Sequence, residues 1–366
     1  MRKTINKYVA LCMALLLSTL SLCAQSTSVA MLHHDANDST SVYYGMDAFI
    51  NAYNASADGD LITLSSGSFH TCDITKEISI RGAGMQHDSI NLIAPTVFMG
   101  DFQAYSENKH PDFRLTMEGI NVYGKMYIYA NTGSENNRTL YDAQFVKCRF
   151  RNVMTNFYRD GPYRTYFRNV CFVQCKIYNI DLLGSATFYN CVVNDVDQIR
   201  YQNYDMPFTS FDFVNCCVLC LDSYESDYSS VENSSFRNCV LVGNVPLSET
   251  NVAYNSVSCY YGDATNTTMF SKLPAFTDNN NHTFNSIQSI FKTYDGNNLS
   301  DSETLELQDS IKTKYLGMDG TQVGIYGGVA PFTPEVSFPI LGRLVVSPKS
   351  DESGKLKVEM QVGNSK

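Results

Sequence analysis

The chain has 366 residues, a formal net charge of −10, 44% hydrophobic residues and no tryptophan. An acidic chain with no basic cluster is a poor partner for nucleic acid or an anionic membrane. Twelve cysteines raise the question of a disulfide framework, and their spacing argues against one.

Arg2, Lys3 and Lys7 precede an apolar run from Val9 to Leu22, followed by Cys23-Ala24-Gln25. This pattern predicts a secretory signal peptide, because the run falls short of the ~20 residues that span a bilayer. Cleavage after Ala24 is the first choice. Leu20-Ser21-Leu22-Cys23 partly resembles a lipoprotein box, so a lipid anchor at Cys23 is the alternative. Without residues 1–24 the charge becomes −13. No later stretch reads as a transmembrane helix, and the mature chain is expected to be secreted, periplasmic or held on an outer surface.

Residues 25–57 form an expected N-terminal segment. Ser26–Ser41 reads as polar and loose, with His33 and His34 solvated, and Gly45–Ala55 (GMDAFINAYNA) as a short amphipathic helix turning Phe49, Ile50 and Tyr53 inward. From Asp58 the alternation at Leu61, Thr63 and Ile74, then Ile78 and Ile80, is strand-like. Gly67 and Gly82-Ala83-Gly84 break it.

Five segments then share one template of Phe, two residues, Cys, one residue, apolar. They begin at Phe145, Phe172, Phe188, Phe213 and Phe236, with Cys148, Cys175, Cys191, Cys216 and Cys239 at the fourth position. Val153, Ile180, Val196 and Leu221 extend the apolar pattern. Asn190, Asn215, Asn238 and other asparagines punctuate the units, and asparagine tolerates the left-handed backbone of a sharp turn. The cysteines lie 27, 16, 25 and 23 residues apart. A second register takes Phe167 as a unit in place of Phe172, giving phenylalanine spacings of 22, 21, 25 and 23. Both registers average about one repeat per 23 residues. Variable length with a constant inward pattern predicts an all-β, right-handed parallel β-helix of roughly 9–10 coils over residues 58–296.

The opening DGDLITLSSGSF…ISIRGAG and the F-x-N-C-x-apolar units resemble the pectin-lyase-like right-handed β-helix superfamily, with cover from about Asp58 to Tyr294. Gly317–Phe332 (GMDGTQVGIYGGVAPF) resembles a segment that closes many secreted β-helix proteins of Bacteroidota-type bacteria. The fold and a polysaccharide-related role are what this resemblance implies.

Ser300 and Glu303 have capping-box spacing, predicting a helix through about Tyr315 within a C-terminal cap over 297–332. Such helices would cover end coils. Val336–Val346 and Lys355–Val362 read as two strands of a hairpin-like tail over 333–366.

The five template cysteines would stack at the ~4.8 Å spacing of neighbouring strands, as a column of buried free thiols. Side chains that point the same way disfavour the disulfide dihedral. Cys217-Val-Leu-Cys220 has zinc-like spacing but no second pair. No metal or cofactor is expected.

Function is sought in three long turns. They carry Tyr158, Arg159 and Tyr163; Tyr201, Tyr204 and Asp205; and Tyr224 and Asp227. Tyr158 and Tyr201 lie ten residues past their cysteines. Tyrosine offers an apolar ring to sugar C–H surfaces and a hydroxyl besides, while Asp and Arg bond sugar hydroxyls and carboxylates. A non-catalytic glycan- or surface-binding scaffold is therefore the first expectation. The resemblance implies a second, a polysaccharide lyase or glycoside hydrolase acting on acidic polysaccharide. Asp195, Asp197 and Arg200 are its weak catalytic candidates, with calcium under the lyase variant alone. The Asn-Thr-Asp, Gly-His-Gly and Arg-Ile-Lys signatures of polygalacturonases are absent. A purely structural coat or adhesin component is the third.

Overall fold

The computed structural model describes residues 28–89, 93–106, 114–128, 138–155, 165–182, 184–198, 210–221, 231–262, 267–274, 278–296, 299–300, 303–336, 340–350 and 356–363. The segment read as a signal peptide lies outside them. The chain is all-β, with two long sheets of parallel strands and few helices. From Leu61 onward each repeat gives a strand to the first sheet, turns a corner, and gives the next strand to the second sheet. Along the template these alternate as Gln144–Val146 and Arg149–Thr155, Thr165–Val173 and Lys176–Leu182, Gly184–Tyr189 and Val192–Gln198, Ser210–Val214 and Cys217–Leu221, Ser235–Arg237 and Val240–Gly243.

The template phenylalanines are in register across the first sheet, in the order Phe145, Phe172, Phe188, Phe213, Phe236. All five are fully buried. Successive ring centroids lie 4.7–5.0 Å apart, so the core of the stack is a ladder of near-parallel rings. Val153, Ile180, Val196 and Leu221 close the interior on the second sheet.

Corner geometry explains the residue after each strand of the first sheet. Lys147, Gln174, Asn190, Asn215, Asn238, Asn255 and Asn280 all have φ between 48° and 56°. This left-handed backbone suits asparagine and disfavours branched residues. The Asn190 N–H donates to the Val214 carbonyl and that of Asn215 to the Arg237 carbonyl, so each corner is tied to the next repeat.

The structure also settles the register. Phe172 pairs with Phe188, and Phe167 pairs with Gly184 within the same two strands. Phe167 is thus a second core residue of its repeat and does not head a unit. The 16-residue repeat is possible because a single residue joins Leu182 to Gly184. Gly184 has φ 112°, and a Cβ there would collide with the Phe167 carbonyl oxygen.

The cysteine column forms as free thiols, and all ten described cysteines are free. The Cys191 thiol donates to the Phe172 carbonyl (3.4 Å) and accepts the Cys175 N–H (3.3 Å), so it pairs backbone groups of the preceding repeat. Cys175, Cys216 and Cys239 donate in the same way to Phe145, Phe188 and Phe213. Burial, reinforced by neighbouring thiols, pushes Cys148, Cys191 and Cys239 well above the ordinary thiol value, keeping them protonated donors. One repeat later Ser256 takes the same place, its hydroxyl accepting the Cys239 N–H at 3.0 Å. Cys191→Ser should therefore cost no more than ~1 kcal/mol, whereas Cys191→Val leaves the buried Cys175 N–H unpaired and should cost ~1–3 kcal/mol. Equilibrium denaturation of the two variants measures the difference.

Two expectations about the ends need correction. The N-terminal segment is ordered: Val29–His34 and Ser39–Tyr44 form a hairpin that pairs antiparallel with Leu61–Leu64 and blunts the sheet edge. Ala30 and Leu32 are buried there. His34 is half-buried, with Nδ1 2.9 Å from the Asp60 carboxylate. Burial alone would raise the Asp60 carboxyl, but backbone N–H groups of Ala57 and Asp35, with His34, hold it below its usual value. The helix spans Ala48–Ala55 and buries Phe49, Ala52 and Tyr53, while Ile50 is half-buried. Lys76 Nζ caps its last turn through the Tyr53 and Ser56 carbonyls.

At the other end the predicted helix over 300–315 shrinks to Asp309–Lys314. The capping box does not form, because the Glu303 carboxylate accepts from the Thr293 hydroxyl and Leu305 adopts φ 53°. Nor does this helix cover an end coil. Ile311 packs with Leu305, Leu307, Val323 and Ile325 over outward residues of the second sheet, including Cys217, Leu219, Val240 and Val242. Hydrogen bonds from Lys312 and Lys292 pin this cover and hold the Glu306 carboxyl at about 2.

The segment from Gly317 to Val336 then runs as a strap down the corner column. Asn238 Oδ1 accepts the Met318 N–H, Asn190 Nδ2 donates to Ile325 and Gly327 carbonyls, and Gln174 Nε2 to those of Ala330 and Pro331. Lys147 Nζ reaches the Glu335 carbonyl. Gly328 passes so close to Asn215 that a Cβ would strike its amide. Beyond the strap, Ile340–Ser350 and Leu356–Gly363 pair antiparallel.

Candidate functional site

Most residues singled out for binding or catalysis, namely Tyr158, Arg159, Tyr163, Arg200, Tyr201, Tyr204, Asp205, Tyr224 and Asp227, lie outside the described residues. The described strands nonetheless place the ends of their turns. Residues 156–164, 199–209 and 222–230 each follow a strand of the second sheet and precede the next strand of the first.

Asp195 and Asp197 belong to the strand Val192–Gln198. Two residues apart, they fall on the same sheet face. Asp195 is in register with Asn179, and Asp197 with Asp181, so carboxylate-bearing positions gather on two adjacent repeats. Among the described residues no three His, Cys, Asp or Glu side chains come together as a metal site.

A furrow that the sequence reading missed lies along the first sheet. It measures about 420 Å³ and is lined by Tyr141, Asp142, Tyr166, Arg168, Asn169 and Ser185. That volume suits a small-ligand pocket. Two left-handed residues shape it: Asp142 at φ 48° and Asn169 at φ 57° turn their strands at the same level. Asn169 Nδ2 donates to Asp142 Oδ1 (3.0 Å), and the Asn169 N–H donates to Ser185 Oγ (3.2 Å). Three repeats are thereby stitched together at the surface.

Arg168 is exposed, its guanidinium 5.9 Å from the Tyr141 ring centre, and both tyrosines are half-buried. Ser210, in register with Ser185, lines a separate hollow of about 280 Å³ with Asp212, Asn233, Ser235 and Thr250. The Ser235 hydroxyl bonds the Asp212 carboxylate there, and the Asn233 N–H donates to Thr250 Oγ1. Rings and a guanidinium thus belong to the first hollow, and hydroxyls with a carboxylate to the second. The legible signal was the pair Tyr141-Asp142 and Arg168-Asn169, an Asp or Asn recurring at one level after a large side chain.

No family model, no curated protein and no solved structure matches this chain. No helix among the described residues is long and apolar enough to cross a membrane.

Proposed function

We propose that the chain is an exported right-handed parallel β-helix, of pectin-lyase-like type, that binds a glycan without turning it over. Parallel register through successive repeats and the left-handed asparagine corner support the fold reading. The furrow lined by Tyr141, Tyr166 and Arg168 carries the functional one. It sets tyrosine rings beside Arg168, Asn169 and Asp142, the mixture that receives a sugar's C–H face and its hydroxyls together. Its place is outside the cell or on its surface.

A glycan array followed by calorimetry tests this. Wild type is expected to bind at least one glycan class and release no product. Tyr166→Ala and Arg168→Ala should each weaken that binding about tenfold, ~1.4 kcal/mol. Silence of the wild type across a broad array defeats the proposal.

A second reading, a polysaccharide lyase or glycoside hydrolase, draws on the carboxylates at Asp181, Asp195 and Asp197. Under it Asp197→Ala or Arg200→Ala abolishes product formation, and a chelator does so if the enzyme is a calcium-dependent lyase.

A further inference from the structure

The outer face of the second sheet changes character along the stack. In later repeats it is apolar and lies under the chain's own C-terminal segment, whose near edge is marked by Lys176 Nζ on the Ser300 carbonyl. In earlier repeats the same face is polar, and from Lys125 onward it runs from basic to acidic, with the exposed Asp101 one rung before, its carboxylate accepting the Lys125 N–H. One column in register reads Lys125, Asn152, Asn179, Asp195 over four consecutive repeats. Lys125 and Arg151 are exposed at its basic end, the Arg151 guanidinium 5.8 Å from the centre of the Tyr123 ring. Tyr123 itself is 57% exposed. Asp181 joins Asp195 at the acidic end, on the adjoining column that begins Tyr127, Met154. Basic, amide, amide, acidic is a sequence complementary to its own reverse.

We propose that this face is the contact between two copies of the chain. The relating two-fold axis runs parallel to the strands and passes between the Asn152 and Asn179 rungs. Such a rotation reverses the order of repeats while keeping each position along the strand. Lys125 of each copy then faces Asp195 of the other, and Asn152 faces Asn179. A generic acidic partner would match the basic half and oppose the acidic half; a basic partner would do the converse. Only a reversed copy satisfies both.

Asp181 and Asp195 already interact within their own chain. A carboxylate accepts several hydrogen bonds at once, so an incoming ammonium still finds a place. Four strands of seven or more residues span roughly 23 Å by 19 Å, at most about 440 Å² on each copy, of which Lys176 and Val192 are already buried. The total falls below the ~1,200 Å² at which stable interfaces begin, so the dimer is weak, reversible and sensitive to salt.

Sedimentation velocity over a wide concentration range tests this with the full mature chain. Wild type should pass from monomer to dimer as concentration rises, and less readily at high salt. Lys125→Asp and Asp195→Lys should each weaken association about tenfold or more, with circular dichroism unchanged. An equimolar mixture of the two variants should recover dimer, because every reversed charge then meets its opposite. The double variant should recover it for the same reason. A wild type that stays monomeric, single variants that associate as wild type does, or a mixture that fails to recover would each overturn the proposal.

Discussion

Phe188→Ala should destabilise the protein by about 3–5 kcal/mol, the cost of removing a large buried aromatic side chain without full collapse of the cavity. Phe188 is fully buried between Phe172, whose ring centre is 5.0 Å away at 5° between planes, and Phe213 at 4.7 Å and 11°. The Phe211 ring meets it edge-on at 5.9 Å. Backbone pairing on either side holds the neighbouring rungs at their spacing, so the stack cannot close over the gap. Total stabilities of domains are ~5–15 kcal/mol, and a loss of this size is a large share. Phe188→Leu, which refills much of the volume, should recover more than half of the loss. Urea or guanidinium unfolding followed by circular dichroism reads both. A Phe188→Ala loss below about 1 kcal/mol would mean that the ring ladder is not a packed core.

Asn190→Ala is the second large effect, expected at about 2–4 kcal/mol. Two contributions combine. The amide donates to Ile325 and Gly327 carbonyls at 2.9 and 2.8 Å; the Ile325 carbonyl keeps the Phe332 N–H, while that of Gly327 would lose its buried donor, at ~1–3 kcal/mol for an unpaired group. Alanine must also adopt φ 51°, which costs ~1–2 kcal/mol for a residue with a Cβ. Asn190→Gly separates them, since glycine accepts the backbone and still lacks the amide. Limited proteolysis within Gly317–Val336 should accelerate in both variants, while thermal stability falls further for alanine. Equal thermal losses would assign the whole effect to the strap.

Where the sequence was legible, a local rule repeated. The template of Phe, Cys and an apolar residue survives because each position meets its own equivalent in the next repeat. Its inward column could be read without knowing any turn. Turn lengths carry no such constraint. The choice between Phe167 and Phe172 as a repeat's start therefore needed Gly184, whose importance appears only once Phe167 lies against it. The hairpin at Val29–Tyr44 was hidden by a different cause. One face of it is covered, and the polar residues of the other made the whole segment look loose. Asn190 was read correctly as a turn residue, but its second role depends on Ile325, more than a hundred residues away, and no local pattern announces that. For the site, the chemistry expected of the long turns recurs at Tyr141, Tyr166 and Arg168, which sit on strands and drew no notice among tyrosines in turns.

A stack of repeats ordinarily behaves as a one-dimensional lattice, in which each unit feels only its neighbours and the ends can fray alone. The strap adds bonds of another order. By gripping Asn238, Asn190, Gln174 and Lys147 with a single continuous peptide, it couples units two and three rungs apart. Opening any one of these corners loosens the grip on the others, so the spanned repeats share one fate. A segment that leaves the ribosome after all of these repeats thereby sets the cooperativity of units made long before it, and a piecemeal material becomes one that yields as a block.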